Sequence, residues 1–103
     1  MPITLQRDES QWLLRLEGQA TIASAAELKQ LLLEWLAAGK DLKLDLEDVE
    51  EIDITIMQLL WAAGREAART GAEVVGSASD AAIVAVRGAG FPGMPGVPAR
   101  ITG

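Results

Sequence analysis

The sequence predicts an α/β domain: a small, mainly parallel sheet of about four strands with an N-terminal hairpin, and three helices packed mainly on one face. Three observations predict it. Two stretches, 24–38 and 53–70, repeat apolar residues at helical spacing. The alternating run Leu42-Lys43-Leu44-Asp45-Leu46 lies between them, where a strand satisfies the pattern best. A strand–helix–strand unit from Leu42 to Gly76 then implies a parallel pair joined by a right-handed crossover.

The elements follow in order. Ile3 and Leu5 alternate with polar neighbours, Arg7-Asp8-Glu9-Ser10 supplies turn chemistry, and Trp12, Leu14 and Leu16 alternate again, so residues 3–16 predict a hairpin with one buried face. Gly18 is expected to end the second strand, leaving 19–23 as a connection that holds Thr21 and Ile22. Ser24-Ala25-Ala26-Glu27 fits a capping box, and Leu28, Leu31, Leu32, Trp35 and Leu36 form the inward stripe of a helix that stops at Gly39.

After the strand 42–46 the chain is acidic, with six of its fifteen carboxylates between Asp45 and Asp53. That stretch is expected to be a solvated loop rather than a metal site, because calcium loops need closer alternation and a sharp glycine turn. The second helix carries Ile56, Leu59, Leu60, Ala63 and Ala67 on one stripe and Met57, Trp61, Gly64 and Ala68 beside it. Two starts compete: Asp53 as N-cap, or Thr55 as N-cap with Gln58 reaching back. The run 72–76 predicts a short buried strand, and an Ala-rich helix starting at Ser77 or Ser79 follows, ending by Gly88 or Gly90. Residues 1–91 are thus expected to form the domain. Residues 92–103, dense in proline and glycine, are expected to form an extended tail. Trp12, Trp35 and Trp61 all sit on patterned apolar faces and are expected in or at the edge of the core.

Composition narrows the function. At 103 residues the chain suits one domain, and a net charge of −6 with no basic cluster argues against a nucleic-acid partner. There is no cysteine and no histidine, which removes thiolate chemistry, the usual metal ligand and the usual general base. With no glycine-rich phosphate loop, the sequence supports no catalytic activity, no metal and no cofactor. No apolar window is long enough to span a bilayer, so no membrane insertion and a cytoplasmic location are expected.

The strongest local feature is the junction before the second helix: Leu44-Asp45-Leu46, then Val49, Ile52 and Asp53, then Thr55 at the helix start. With the stretch TIASAAELKQLLLEWL and the amphipathic helix that follows, it resembles the STAS family, the sulfate-transporter and anti-sigma-factor-antagonist domains, over about Ile3 to Phe91. The resemblance implies a STAS-like fold and a binding module rather than a catalyst. In the antagonist branch a Ser or Thr at this helix start is phosphorylated by a partner kinase, which breaks their complex; Thr55 falls on that phosphoacceptor position. Asp53 and Thr55 match the family pattern, while Ile54 stands for a small residue and Ile56 for a glycine.

The loop before Ser24 and the start of the second helix are expected to form a partner surface of Thr21, Ile22, Asp53, Thr55, Ile56 and Gln58, because Ile54 and Ile56 are too apolar for a helix start that simply faces water, although either could turn inward to staple the entry. Its partner is expected to be an anti-sigma-factor-like serine/threonine kinase or another signalling protein. The alternative is an accessory STAS subunit of a chemosensory or transporter complex, of the Mla-like or chemosensory branch, or a small-ligand-binding STAS module. The helix start Ser24-Ala25-Ala26-Glu27-Leu28-Lys29 is similar to that of chemosensory members.

Overall fold

The computed structural model describes residues 3–90; Phe91 and the expected tail 92–103 lie outside them. The elements run β1 (Ile3–Gln6), β2 (Gln11–Ala20), a 3-10 turn (Ile22–Ser24), α1 (Ala25–Ala38), β3 (Asp41–Ile52), α2 (Ile54–Thr70), β4 (Val74–Ala78) and α3 (Asp80–Gly88). The strands form one sheet in the order β1-β2-β3-β4. β1 and β2 pair antiparallel as the hairpin, with Ile3 opposite Leu16, and β2, β3 and β4 are parallel.

One face of the sheet carries the core. Trp12, Leu14 and Leu16 of β2 and Leu42, Leu44 and Leu46 of β3 are buried there, as the period of two requires of residues that alternate across a pleat. Leu28, Leu32 and Trp35 of α1, Ile56, Met57, Leu60, Ala63 and Ala67 of α2, and Ala82 and Val86 of α3 close the same cluster. Among the described residues no helix packs on the opposite face, which carries rows such as Leu13, Lys43 and Val75, and Arg15, Asp45 and Ser77. The three tryptophans fall as expected: Trp12 and Trp35 are buried and Trp61 lies against the core edge.

Two expectations about element ends are corrected. Gly18 does not end β2, which continues to Ala20. Its φ of 65° places it in the left-handed region where a side chain would be strained, and the register shifts on both sides of it mark bulges. Nor is the acidic stretch a loop. It is the second half of β3, in which Val49 faces Gly18 of β2 and Ile52 faces Ala20. Each bulge adds one residue to β3, so its inward side chains fall at Leu46, Val49 and Ile52, three apart. The carboxylates between them point outward.

The helix ends follow local chemistry. At Gly39, φ is 69° and its N–H donates to the Trp35 carbonyl, the expected left-handed stop. The Ser24 capping box does not form: Ser24 makes no side-chain cap bond. The 3-10 turn explains this, because it has already committed the Ser24 N–H to the Thr21 carbonyl at 2.9 Å and holds Ser24 near helical dihedrals. β4 begins two residues later than predicted, and α3 starts after Ser79, whose Oγ accepts from the Ala82 N–H at 3.1 Å and donates to the Val49 carbonyl at 2.6 Å. Ser79 thereby ties the last helix to the extended half of β3.

Candidate functional site

β2 and β3 are adjacent and parallel, and each feeds a helix on the same face, so the starts of α1 and α2 meet at one end of the sheet. Asp53 joins them. Its backbone N–H donates to the Ala20 carbonyl at 3.0 Å. One carboxylate oxygen, Oδ1, accepts from the Ile56 N–H at 3.1 Å as the N-cap of α2, and the other, Oδ2, accepts from the Ile22 N–H at 2.6 Å. A single carboxylate thus satisfies free amides of two helical segments, and its charge lies at the positive end of the α2 dipole. Asp53 is therefore the cap, and Thr55 lies inside the first turn of α2.

This register sorts the predicted surface. Ile22 is 69% exposed and Gln58 is exposed, while Thr21 and Thr55 are half-buried beside the Asp53 clasp. Ile56 is corrected: it is 1% exposed and belongs to the core, so it is not part of an accessible surface. With Asp53 as cap, Ile56 shares the inward phase of Leu60, Ala63 and Ala67.

Ile54, which the sequence analysis left out of the surface, takes its place at 54% exposure. The signal that identifies it is the phase of α2: one residue after the cap, Ile54 falls two positions out of step with the inward stripe. Ile22 and Ile54 are large apolar side chains facing solvent on the two segments that Asp53 binds together. Among the described residues the Thr55 hydroxyl forms no hydrogen bond, so it is not consumed as a cap.

The surroundings are acidic. Glu47, Asp48, Glu50 and Glu51 are exposed along the extended half of β3. On the open face of the sheet Arg15 gathers part of this charge, bonding Asp48 and standing 3.3 Å from Glu17 and 4.0 Å from Asp45. The hydrogen bond to Asp48, and then the charge of Glu17, hold its guanidinium above its already high ordinary range. These pairs are exposed and contribute little to stability. No group of three or more side chains able to hold a metal occurs among the described residues, and none of their helices is long and apolar enough to cross a membrane.

Removing the clasp has a defined cost. Asp53→Ala deletes the N-cap and leaves the Ile22 amide without its partner, so it is expected to destabilise the fold by about 1–3 kcal/mol in a urea titration. Thr55→Ala in the same assay is expected to change stability by less than about 0.5 kcal/mol. A larger loss for Thr55→Ala than for Asp53→Ala would place the cap at Thr55 instead.

Comparison with known proteins adds the following. A family model described as "Mlab, STAS domain" matches residues 3–89. The solved structure titled "Crystal Structure Analysis of Mglu" is similar with a TM-score of 0.64 at 19% identity. The likeness covers 75% of this chain and 19% of that one, and at this identity it concerns the fold alone. No curated protein matches the sequence.

Proposed function

The chain belongs to the STAS domain family, and from that premise we propose that it is a non-catalytic regulatory module that binds a partner protein through the joined starts of α1 and α2. The contact surface is Ile22 and Ile54 as apolar anchors, with Thr21, Thr55 and Gln58 around them and Asp53 holding the two segments in register. The carrying observation is the exposure of both isoleucines, 69% and 54%, on either side of one rigid hydrogen-bonded clasp. Apolar side chains on a preorganised backbone suit binding, since little ordering entropy remains to oppose it.

The partner in this reading is an anti-sigma-factor-like serine/threonine kinase or another signalling protein, and Thr55 is the phosphoacceptor. Within the domain a phosphate at Thr55 sits at the positive end of α2 and is tolerated by the fold. Across an interface it adds a dianion beside Asp53, and desolvating that charge against Ile22 and Ile54 opposes binding. Phosphorylation then releases the partner without unfolding the module. A second reading, which the STAS match supports equally, is an accessory STAS subunit of a chemosensory or transporter complex, in which the same surface binds constitutively.

The test is capture of the partner from native lysate on the immobilised chain, its identification, and calorimetry of the purified pair. Thr55→Glu is expected to bind roughly tenfold more weakly than wild type or worse, and Thr55→Ala about as well as wild type. Equal affinities for all three would end the switch and leave the constitutive module.

A further inference from the structure

Charge is distributed unevenly along the sheet. β2, β3 and β4 run parallel and each leads into a helix, so three helices start at the clasp end. The chain runs through that end in the segments 16–28, 46–64 and 77–86, which hold no lysine or arginine. Most of their carboxylates are balanced within the domain. Glu27, Asp53 and Asp80 stand at the three helix starts, where the dipole favours a negative charge, and Glu17 and Asp48 pair with Arg15 on the sheet face opposite the helices. Glu47, Glu50 and Glu51 have neither: they are exposed on the strand that leads into Asp53, and among the described residues they form no ion pair. At the other end cations and acids alternate, as in Lys40 beside Asp41 and Arg69 bonded to Glu66.

We infer that the partner meets this end with a basic rim: an apolar centre that covers Ile22 and Ile54, flanked by Lys or Arg side chains set against Glu47, Glu50 and Glu51. The inference deepens the proposed function and rests on it. The sign of the field selects the occupant. A surface of one negative sign repels a second copy docking by the same end, a nucleic acid and an anionic membrane, and it draws in a cationic protein segment.

The three glutamates lie on β3 before the clasp, whereas the anchors lie on the 3-10 turn and on α2. The partner's cations therefore flank its apolar centre and leave uncharged atoms opposite Thr55, so the effect expected of Thr55→Glu is unaltered. Complementary charge at a rim acts mainly on the rate of association and is weakened by salt, while the buried anchors set the rate of release.

The experiment pans a random peptide library displayed on phage against the immobilised full chain at low ionic strength, then titrates synthetic copies of the enriched peptides by calorimetry. The enriched peptides are expected to carry apolar residues flanked by Lys or Arg. Their affinity should fall roughly tenfold or more between about 0.01 M and about 1 M NaCl, as the screening length shrinks from about 30 Å to about 3 Å. At low salt a triple variant, Glu47→Gln, Glu50→Gln and Glu51→Gln, is expected to bind them roughly tenfold more weakly than wild type. A second triple variant, Glu9→Gln, Glu66→Gln and Glu73→Gln, changes the net charge equally at the opposite end of the sheet and should bind as wild type does. All six glutamates are exposed, and thermal melts check that both variants fold. Enriched peptides without an excess of Lys and Arg, or equal losses for the two triple variants, would overturn the basic rim; if Ile22→Asp and Ile54→Asp still weaken those peptides, the proposed surface itself stands. Peptides indifferent to Ile22→Asp and Ile54→Asp would contradict the surface and the rim together.

Discussion

Ile56→Lys is expected to unfold the domain, while Ile54→Lys, the same change two residues earlier, leaves it folded. Ile56 is 1% exposed. Losing its burial costs about 1.5–3 kcal/mol, and a lysine in its place must either bury an unpaired ammonium, at several kcal/mol more, or tear the first turn of α2 from the core to reach water. Against a total stability on the order of 5–15 kcal/mol for a domain of this size, that loss removes much of the margin. Ile54 is more than half exposed, so its lysine stays in water and meets only a weak repulsion from the helix dipole, about 0.3–1 kcal/mol. Circular dichroism melts of the two variants check this. Two stable variants would mean that α2 starts in the other register and that Ile54 is not the solvent-facing residue.

Trp35→Ala is expected to cost about 3–5 kcal/mol in chemical denaturation, near the upper end for a core truncation. Trp35 is 2% exposed, and its Nε1–H donates to the Lys40 carbonyl at 2.7 Å, just where the chain leaves α1 for β3. The substitution therefore opens a cavity between α1 and the sheet and frees the turn that sets β3 in place. Trp35→Phe keeps most of the volume and loses the hydrogen bond, so it should cost clearly less. A loss below about 1 kcal/mol for Trp35→Ala would show that α1 is not packed as described.

Much of this architecture was legible in the sequence because it rests on local rules. Leu28, Leu32 and Trp35 keep helical spacing and Gly39 stops the helix, as expected. In the sequence Asp53 and Thr55 compete as caps, and the bond from the Ile56 amide to Asp53 decides between them. What escaped depended on contacts distant in sequence. Leu46, Val49 and Ile52 lie three apart because bulges against β2 insert extra residues into β3, and no period-two pattern reveals such a strand. Ser24 lost its capping role to a 3-10 turn whose position is set by the Ile22–Asp53 bond, between residues thirty-one apart. Ile54 and Ile56 exchanged roles for a related reason: which isoleucine faces water follows from the helical phase, and the phase follows from the cap.

The most direct measurement of the central claim, that the Asp53-clasped end of the sheet is the partner surface, is calorimetric titration of the captured partner with an Ile22→Asp, Ile54→Asp double variant. Both positions are exposed, and an acid in the first turn of α2 is favoured by its dipole, so the melting temperature should stay close to wild type. The account predicts that affinity falls by roughly a hundredfold or more, as expected when two apolar anchors are replaced by charge. An undiminished affinity in the folded double variant would contradict it and move the partner to another face of the domain.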